Sequence, residues 1–120
     1  VYNQFKLTDE NRIAYLWLKK SDYSKSGATR EDTEGLIDHI RAIEPVEVAC
    51  LFEEVEPGET RVSFRSKHPE INVNEIAKQF GGGGHKAASG ARINGSQLSV
   101  QRKVISAIRK ALKVLPSEKS

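Results

Sequence analysis

Four consecutive glycines followed by a histidine form the segment of this chain best suited to binding a ligand. The glycines are Gly81, Gly82, Gly83 and Gly84. Each glycine loses more backbone entropy on folding than any other residue, so a run of four indicates a specific requirement. Their N–H groups can form a nest for an anion. We predict that residues 85–89 are helical, which would direct a helix N-terminus at the same anion.

Three side chains could complete such a site. His85 can donate a hydrogen bond to a phosphate oxygen or stack on a base, and a histidine can change its charge near neutral pH. Arg65 and Lys67 lie at the end of a predicted strand and supply cations. We therefore predict that the four glycines, His85, Arg65 and Lys67 bind substrate. Glycine loops also serve as packing joints, and this run matches neither of the common nucleotide-binding fingerprints, so that alternative stays open.

The elements that must position these residues predict an α/β fold. Apolar, β-prone segments predict strands at residues 13–18, 46–52, 61–66 and 91–93. Apolar residues at helical spacing predict helices at residues 30–43, 72–80 and 97–115. This order of elements indicates a mixed β-sheet with helices packed on it.

The strand predicted at residues 61–66 alternates between polar and apolar side chains. Val62 and Phe64 are expected to face the core, whereas Arg61, Ser63 and Arg65 share the opposite face. Pro57 and Gly58 precede this strand as a turn, so the second and third strands form a hairpin.

Composition is that of an ordinary globular domain, with 120 residues, 38% hydrophobic residues and a formal net charge of +3. No apolar stretch approaches the roughly 20 residues that span a bilayer. The one cysteine, Cys50, lies in an apolar run and is interpreted as a buried structural residue. One thiol excludes an internal disulfide. The basic helix near the C-terminus is interpreted as a solvated face.

The glycine run also resembles the signature of a known family. The sequence Gly-Gly-Gly-Gly-His at residues 81–85, followed by Ala87, Ala88 and Gly90, resembles that of the DHHA1 domain, the C-terminal half of DHH-family phosphoesterases. Further segments fall in the expected order, at residues 33–36, 46–52, 62–66 and 73–77. The whole arrangement is most similar to the nanoRNase type, which degrades very short RNAs and dephosphorylates adenosine 3′,5′-bisphosphate.

The resemblance implies a DHHA1-like fold and a role for the site. Residues 81–85 and Arg65 would bind substrate phosphate and base across a cleft, as the substrate-recognition domain of an oligoribonuclease or 3′,5′-bisphosphate nucleotidase. Members of the family with one arginine in the Val-Ser-Phe-Arg-Ser strand favour Arg65 over Lys67.

The catalytic half of the family carries an Asp-His-His motif and ligands for two manganese ions. This chain contains no Asp-His-His sequence, and His39, His68 and His85 lack metal-ligand spacing. We therefore expect no catalytic residue, metal ligand or cofactor in this domain. Manganese is expected in a separate catalytic domain, which would make the parent a hydrolase.

The chain contains no methionine and begins at Val1, which predicts a fragment of a longer protein. Residues 1–12 are interpreted as a linker from an N-terminal DHH domain, residues 13–115 as the DHHA1 substrate-binding domain, and residues 116–120 as a disordered tail. The expected partners are a nucleotide or short single-stranded nucleic acid and the DHH domain of the same chain. We expect a cytoplasmic location and no membrane partner, and a homodimer stays open.

Two other functions remain open at this point. The first is a non-catalytic RNA-binding module, because a similar glycine loop occurs in the C-terminal domain of alanyl-tRNA synthetases, where the resemblance implies tRNA contact. The second is a structural or dimerisation domain with an inert loop.

Overall fold

The computed structural model describes residues 6–9, 11–18 and 30–113. The described strands are β1 (Lys6–Thr8), β2 (Ile13–Leu18), β3 (Val48–Glu56), β4 (Glu59–Ser66), β5 (Gly83–Gly84) and β6 (Ala88–Asn94). The described helices are α1 (Arg30–Arg41), α2 (Val73–Lys78) and α3 (Gln97–Lys113). The strands form one sheet in the order β1-β2-β3-β4-β6-β5. The predicted mixed sheet with packed helices is confirmed.

Strand directions follow from the connections between the strands. β2 and β3 are parallel, and α1 lies between them in the chain, as a parallel crossover requires. β3 and β4 form the predicted hairpin, with Gly58 at a φ of 80° in the turn. A residue with a side chain adopts such an angle rarely, so glycine suits this position. β6 then pairs with β4 on one side and β5 on the other, both antiparallel.

One face of the sheet, called the closed face, is covered by α2 and α3. Phe52 and Phe64 are fully buried there, and Trp17 stacks on Phe52 with ring centroids 4.7 Å apart. Cys50 is buried in the same cluster, and this burial raises the pKa of its thiol. Trp17 also donates through Nε1 to Gln101 of α3 at 2.7 Å.

The opposite face, called the open face, carries a smaller apolar cluster beneath α1. Ile37 and Ile40 of α1 pack there against β2 and β3, for example against Leu51. Leu51 is paired with Ser63 of β4, and Ser63 with Gly90 of β6, so these three residues share this face. α1 therefore covers the β2–β3 side of the open face, and β4, β6 and β5 continue beyond it.

Two segments differ from the sequence prediction. Residues 85–89 are not helical, because β6 begins at Ala88 and a tight turn precedes it. Lys6–Thr8, inside the segment interpreted as a linker, forms an edge strand on β2. The linker role of residues 1–12 stays a prediction, and the tail predicted at residues 116–120 lies outside the described residues.

The remaining helix predictions hold with shifted ends. The short helix before the glycines begins after Asn72, whose side chain accepts from the N–H groups of Asn74 and Glu75. That cap fixes its first turn. In the described part of the chain, no helix is both long enough and apolar enough to span a membrane.

Candidate ligand-binding groove

A groove of about 410 Å³ lies on the open face, beyond the reach of α1. Its lining comes from β4, β5 and β6 and consists of Arg61, Ser63, Arg65, Gly83, Gly84, Ala88, Ser89, Gly90, Ala91 and Arg92. The predicted arginine and half of the predicted glycine run therefore meet in one place, although 17 intervening residues separate Arg65 from Gly83 in the sequence.

The first glycine is explained by its backbone angle and the second by close packing. Gly81 has a φ of 83°, and its N–H donates to Lys78 O where α2 ends. Gly82 lies directly against β6, where an added Cβ would sit 2.7 Å from the Cα of Ala91. Since that neighbour is backbone, only glycine allows this close approach.

The next two glycines form the edge strand β5. Gly83 pairs with Gly90, and Gly84 pairs with Ser89. The N–H of Gly84 points away from the ladder and donates to Asn74 Oδ1 at 2.9 Å. An added Cβ on Gly84 would lie 2.7 Å from the Cα of Ser89, so this position is also closely packed.

The prediction that the glycine N–H groups form a nest for an anion is wrong. The N–H groups of Gly81, Gly82 and Gly84 all donate to groups within the protein. The His85 N–H donates to Ala88 O at 2.7 Å, and Ala88 donates back to His85 at 3.2 Å. No helix begins directly after the glycines, because residues 85–87 form a turn into β6. The surface without side chains at residues 83–84 lines the groove, and a substrate-binding role for the four glycines stays a prediction.

Arg65 lies where α1 ends and the groove begins. Its Nη1 donates to Phe64 O at 2.9 Å, and its Nε lies 3.6 Å from Asp38 Oδ1 of α1. The side chain is only 12% exposed. These contacts fix the guanidinium at the groove, which reduces the entropy that a long side chain loses on binding.

The two other predicted side chains lie outside the groove lining. His85 is exposed in the turn between β5 and β6, next to Gly84. Lys67 donates through Nζ to Ile43 O at 3.0 Å and Glu44 O at 3.3 Å, just after α1. The structure therefore brings Arg65 and the glycines together with His85 at the rim, and it directs Lys67 to backbone carbonyls instead.

Two polar residues of β6 that line the groove were not predicted. Ser89 is paired with Phe64, so its side chain lies on the closed face, where it is buried and its Oγ donates to Val73 O at 2.7 Å. Arg92 is exposed and paired with Arg61 across the strands. Alternation of Arg92 with the buried Ala91 and Ile93 is the signal that places it on the polar face, but the pairing of β6 with β4 is not visible in the sequence.

Among the side chains that the structure describes, no three of His, Cys, Asp or Glu form a group that could hold a metal ion. His39 is exposed on α1, and His68 lies in the loop after β4. The described residues therefore offer no donor set that fits a manganese ion, and no chemical step through a metal is assigned to them.

The structure defines an α/β domain in which a glycine edge strand and an arginine-bearing strand form one groove. Residues 10–114 match the sequence profile of the DHHA1 domain. The chain belongs to the DHHA1 domain family, and the resemblance seen in its sequence is confirmed.

A curated relative is the bifunctional oligoribonuclease and PAP phosphatase NrnA of Bacillus subtilis strain 168. It is 38% identical over 84 residues, which cover 70% of this chain and 26% of the relative. The chain thus spans about a quarter of the length of that relative. The similarity to the nanoRNase type is confirmed, and relatives of this kind are hydrolases.

Solved structures share the fold. An exopolyphosphatase-related protein from Bacteroides fragilis superposes with a TM-score of 0.71 at 25% identity, over 92% of this chain and 31% of that one. The C-Ala domain of Aquifex aeolicus alanyl-tRNA synthetase gives a TM-score of 0.63 at 14% identity, over 89% of this chain and 97% of that one. The second similarity establishes the fold alone.

Proposed function

We propose that this domain recognises the phosphate and base of a nucleotide or short single-stranded nucleic acid, as the substrate-binding part of a DHH-family phosphoesterase. The observation that carries the proposal is the convergence of Arg65, Gly83 and Gly84 in one groove. The family membership and the oligoribonuclease relatives support a phosphoester ligand.

Arg65 is the proposed phosphate ligand. A guanidinium presents several N–H donors in a fixed plane, which matches the oxygens of a phosphate. Asp38 contacts it through a carboxylate that is 51% exposed, so the ion pair is open to solvent and a phosphate can compete with it.

The glycine strand supplies a surface for the flat or sugar part of the ligand. Gly83 and Gly90 are paired and carry no side chains, so a ligand can lie directly on the backbone at this point. His85 stands at the rim and can stack on a base or donate to a second oxygen.

The rest of the proposal concerns the parent protein. We propose that an N-terminal DHH domain of the same chain holds manganese and carries out hydrolysis across a cleft from this groove. A cytoplasmic location belongs to the same proposal, and the oligomeric state stays open. The DHHA1 family membership and the hydrolase relatives support the two-domain arrangement.

Isothermal titration of the 120-residue chain with a pentaribonucleotide and with adenosine 3′,5′-bisphosphate tests the proposal. Half a cleft supplies few contacts, so we expect dissociation constants of about 0.1–1 mM. Arg65→Gln should weaken both ligands about tenfold, because it removes a charge-assisted hydrogen bond. His85→Ala should also weaken both.

The matched control is His39→Ala, since His39 is exposed on α1 and does not line the groove. Equal losses in the His39 and His85 variants, or unchanged binding in the Arg65 variant, would contradict the proposed site. In a full-length parent, both the Arg65 and the His85 substitutions should lower turnover, and His85→Ala should do so without lowering the melting temperature, because His85 is exposed.

A second candidate is an RNA-binding module like the C-terminal domain of alanyl-tRNA synthetases. The similarity in fold to the C-Ala domain, nearly all of which is covered, supports this second candidate. Binding of tRNA that competing pentaribonucleotide does not displace would support this candidate over the phosphoesterase.

A further inference from the structure

The open face of β4 and β6 is arranged in rows of paired residues. The central row contains Ser63 and Gly90, and Gly83 extends it onto β5. This row has no bulky side chain and forms the floor of the groove. One row to the side, Arg65 pairs with Ala88. Arg65 therefore lies at one end of this flat floor.

The row on the other side of the floor contains two arginines. Arg61 of β4 and Arg92 of β6 are directly paired, and both line the groove. Like charges directly opposite each other destabilise a sheet. The two guanidinium groups therefore need negatively charged partners, which carboxylates of the protein or a bound anion can supply.

Carboxylates hold both arginines in place without using all of their donors. Glu53 of β3 accepts from Arg61 Nε at 3.2 Å, and Glu59 accepts from Arg92 Nη1 at 3.2 Å. Among the described residues, Glu53 and Glu59 are the hydrogen-bond partners of these two guanidinium groups, so both terminal nitrogens of Arg61 stay available.

The carboxylate beneath Arg61 is unusual in its own right. Glu53 is 2% exposed, and its Oε2 has no hydrogen-bond partner in the described part of the chain. A buried carboxylate is costly unless it is paired and fully hydrogen-bonded.

We propose that Arg61 and Arg92 form a second phosphate-binding position, so that the groove spans several linked nucleotides rather than one. Arg61 and Arg65 are four residues apart on β4, a separation of about 13 Å between their backbones. A stacked nucleic-acid strand advances about 3.4 Å along its axis for each phosphate, so this distance corresponds to roughly four phosphodiester steps. An extended nucleic-acid strand would cover it in fewer steps.

The inference rests on the proposed function and deepens it, because it assigns a ligand length to the groove. A nucleoside bisphosphate occupies the Arg65 end and the glycine floor. A short oligonucleotide reaches both ends, and its additional phosphate lies between Arg61 and Arg92.

The test compares adenosine 3′,5′-bisphosphate with a pentaribonucleotide on the 120-residue chain by isothermal titration. We expect Arg61→Gln and Arg92→Gln each to weaken the pentaribonucleotide about tenfold, whereas bisphosphate binding changes less than about twofold. Each substitution should also flatten the slope of log affinity against log salt for the pentaribonucleotide by about 0.7.

The matched control is Arg102→Gln, because Arg102 is exposed on α3 and does not line this groove. It should leave both ligands unchanged, and circular dichroism should report the same fold for all variants. Arg92 is 59% exposed, so its substitution tests the position even if the Arg61 variant is unstable.

The outcomes separate the two proposals. Loss of both ligands in Arg65→Gln, with no selective effect at Arg61 or Arg92, would overturn the second phosphate position and leave the proposed function standing. Unchanged binding in Arg65→Gln would overturn the proposed function itself. Equal weakening of both ligands by the Arg61 and Arg92 substitutions would also overturn the assigned ligand length.

Discussion

On the closed face of the sheet, α2 and α3 cover the central strands, whereas on the open face α1 covers β2 and β3 and leaves β4, β6 and β5 exposed. Neighbouring residues of β4 alternate between these environments. Phe64 is fully buried on the closed face, while Ser63 and Arg65 line the groove. One strand therefore supplies both the core that stabilises the domain and the groove that is available for binding.

The largest difference between the faces should appear in stability. Phe64→Ala should lower the free energy of unfolding by about 3–5 kcal/mol, because it leaves a cavity in the closed core. Ser63→Ala, one position away, should change it by less than about 1 kcal/mol. Urea unfolding followed by circular dichroism measures both. Similar losses at the two positions would show that the open face contributes as much packing as the closed one.

Gly82 and Gly83 show the same contrast between a closely packed position and an open one. Gly82→Ala should cost about 3 kcal/mol, because its Cβ would press on the backbone of β6. At Gly83 the nearest atom to a Cβ is Asn74 Oδ1 of a side chain, at 3.3 Å, so Gly83→Ala should change stability by less than about 1 kcal/mol. Chemical denaturation of the two variants gives the comparison.

The control for these alanine substitutions is Gly35 in α1, where a Cβ meets nothing within 4 Å. Gly35→Ala should stabilise the domain by about 0.5–1 kcal/mol, since glycine disfavours a helix interior. A Gly82 variant as stable as the wild type would remove the packing explanation for that residue.

The smallest effect concerns the ion pair that joins the β1–β2 turn to α3. Arg109 bonds both carboxylate oxygens of Asp9, at 2.7 and 2.8 Å, and this hydrogen bonding lowers the pKa of Asp9. A lowered pKa in the folded state adds stability above the unfolded pKa, and this stability is lost as the pH falls through the folded value. Arg109→Gln should therefore cost less than about 1 kcal/mol at neutral pH, because the pair is partly exposed.

Melting curves at pH 7 and at about pH 2 measure this effect. The difference between the wild type and the Arg109 variant should shrink at the lower pH, whereas Arg102→Gln should show no such change. A difference that grows on acidification would contradict the assignment of Asp9 as the responsible group.

Several features of the fold were predictable from local patterns. The β3–β4 hairpin was predictable from two local patterns. A continuous apolar run at residues 46–52 indicates a strand buried on both faces, and the alternation at residues 61–66 indicates a strand buried on one face. The polar face of Arg61, Ser63 and Arg65 was predicted in the same way, and in the structure these residues line the groove.

The errors arose where tertiary contacts decide the local structure. Two glycines have no strand propensity, and β5 exists because Gly83 and Gly84 pair with β6. Asn74 accepts the N–H that was expected to face an anion. Lys67 was assigned to the site because it lies close to Arg65 in the sequence, yet its ammonium group donates to the backbone carbonyls that follow α1. Arg92 was missed because its pairing with Arg61 depends on which strands become neighbours.

The central claim is that ligand binds on the open face, at the groove lined by β4, β6 and β5. Chemical-shift mapping of the ¹⁵N-labelled 120-residue chain with a pentaribonucleotide tests it most directly. The claim predicts that the largest amide shifts fall within residues 61–65 and 83–92. A second cavity of about 300 Å³ lies at α3, lined in part by Gln101, Arg102 and Arg109. Shifts that cluster there and spare residues 83–92 would contradict the claim.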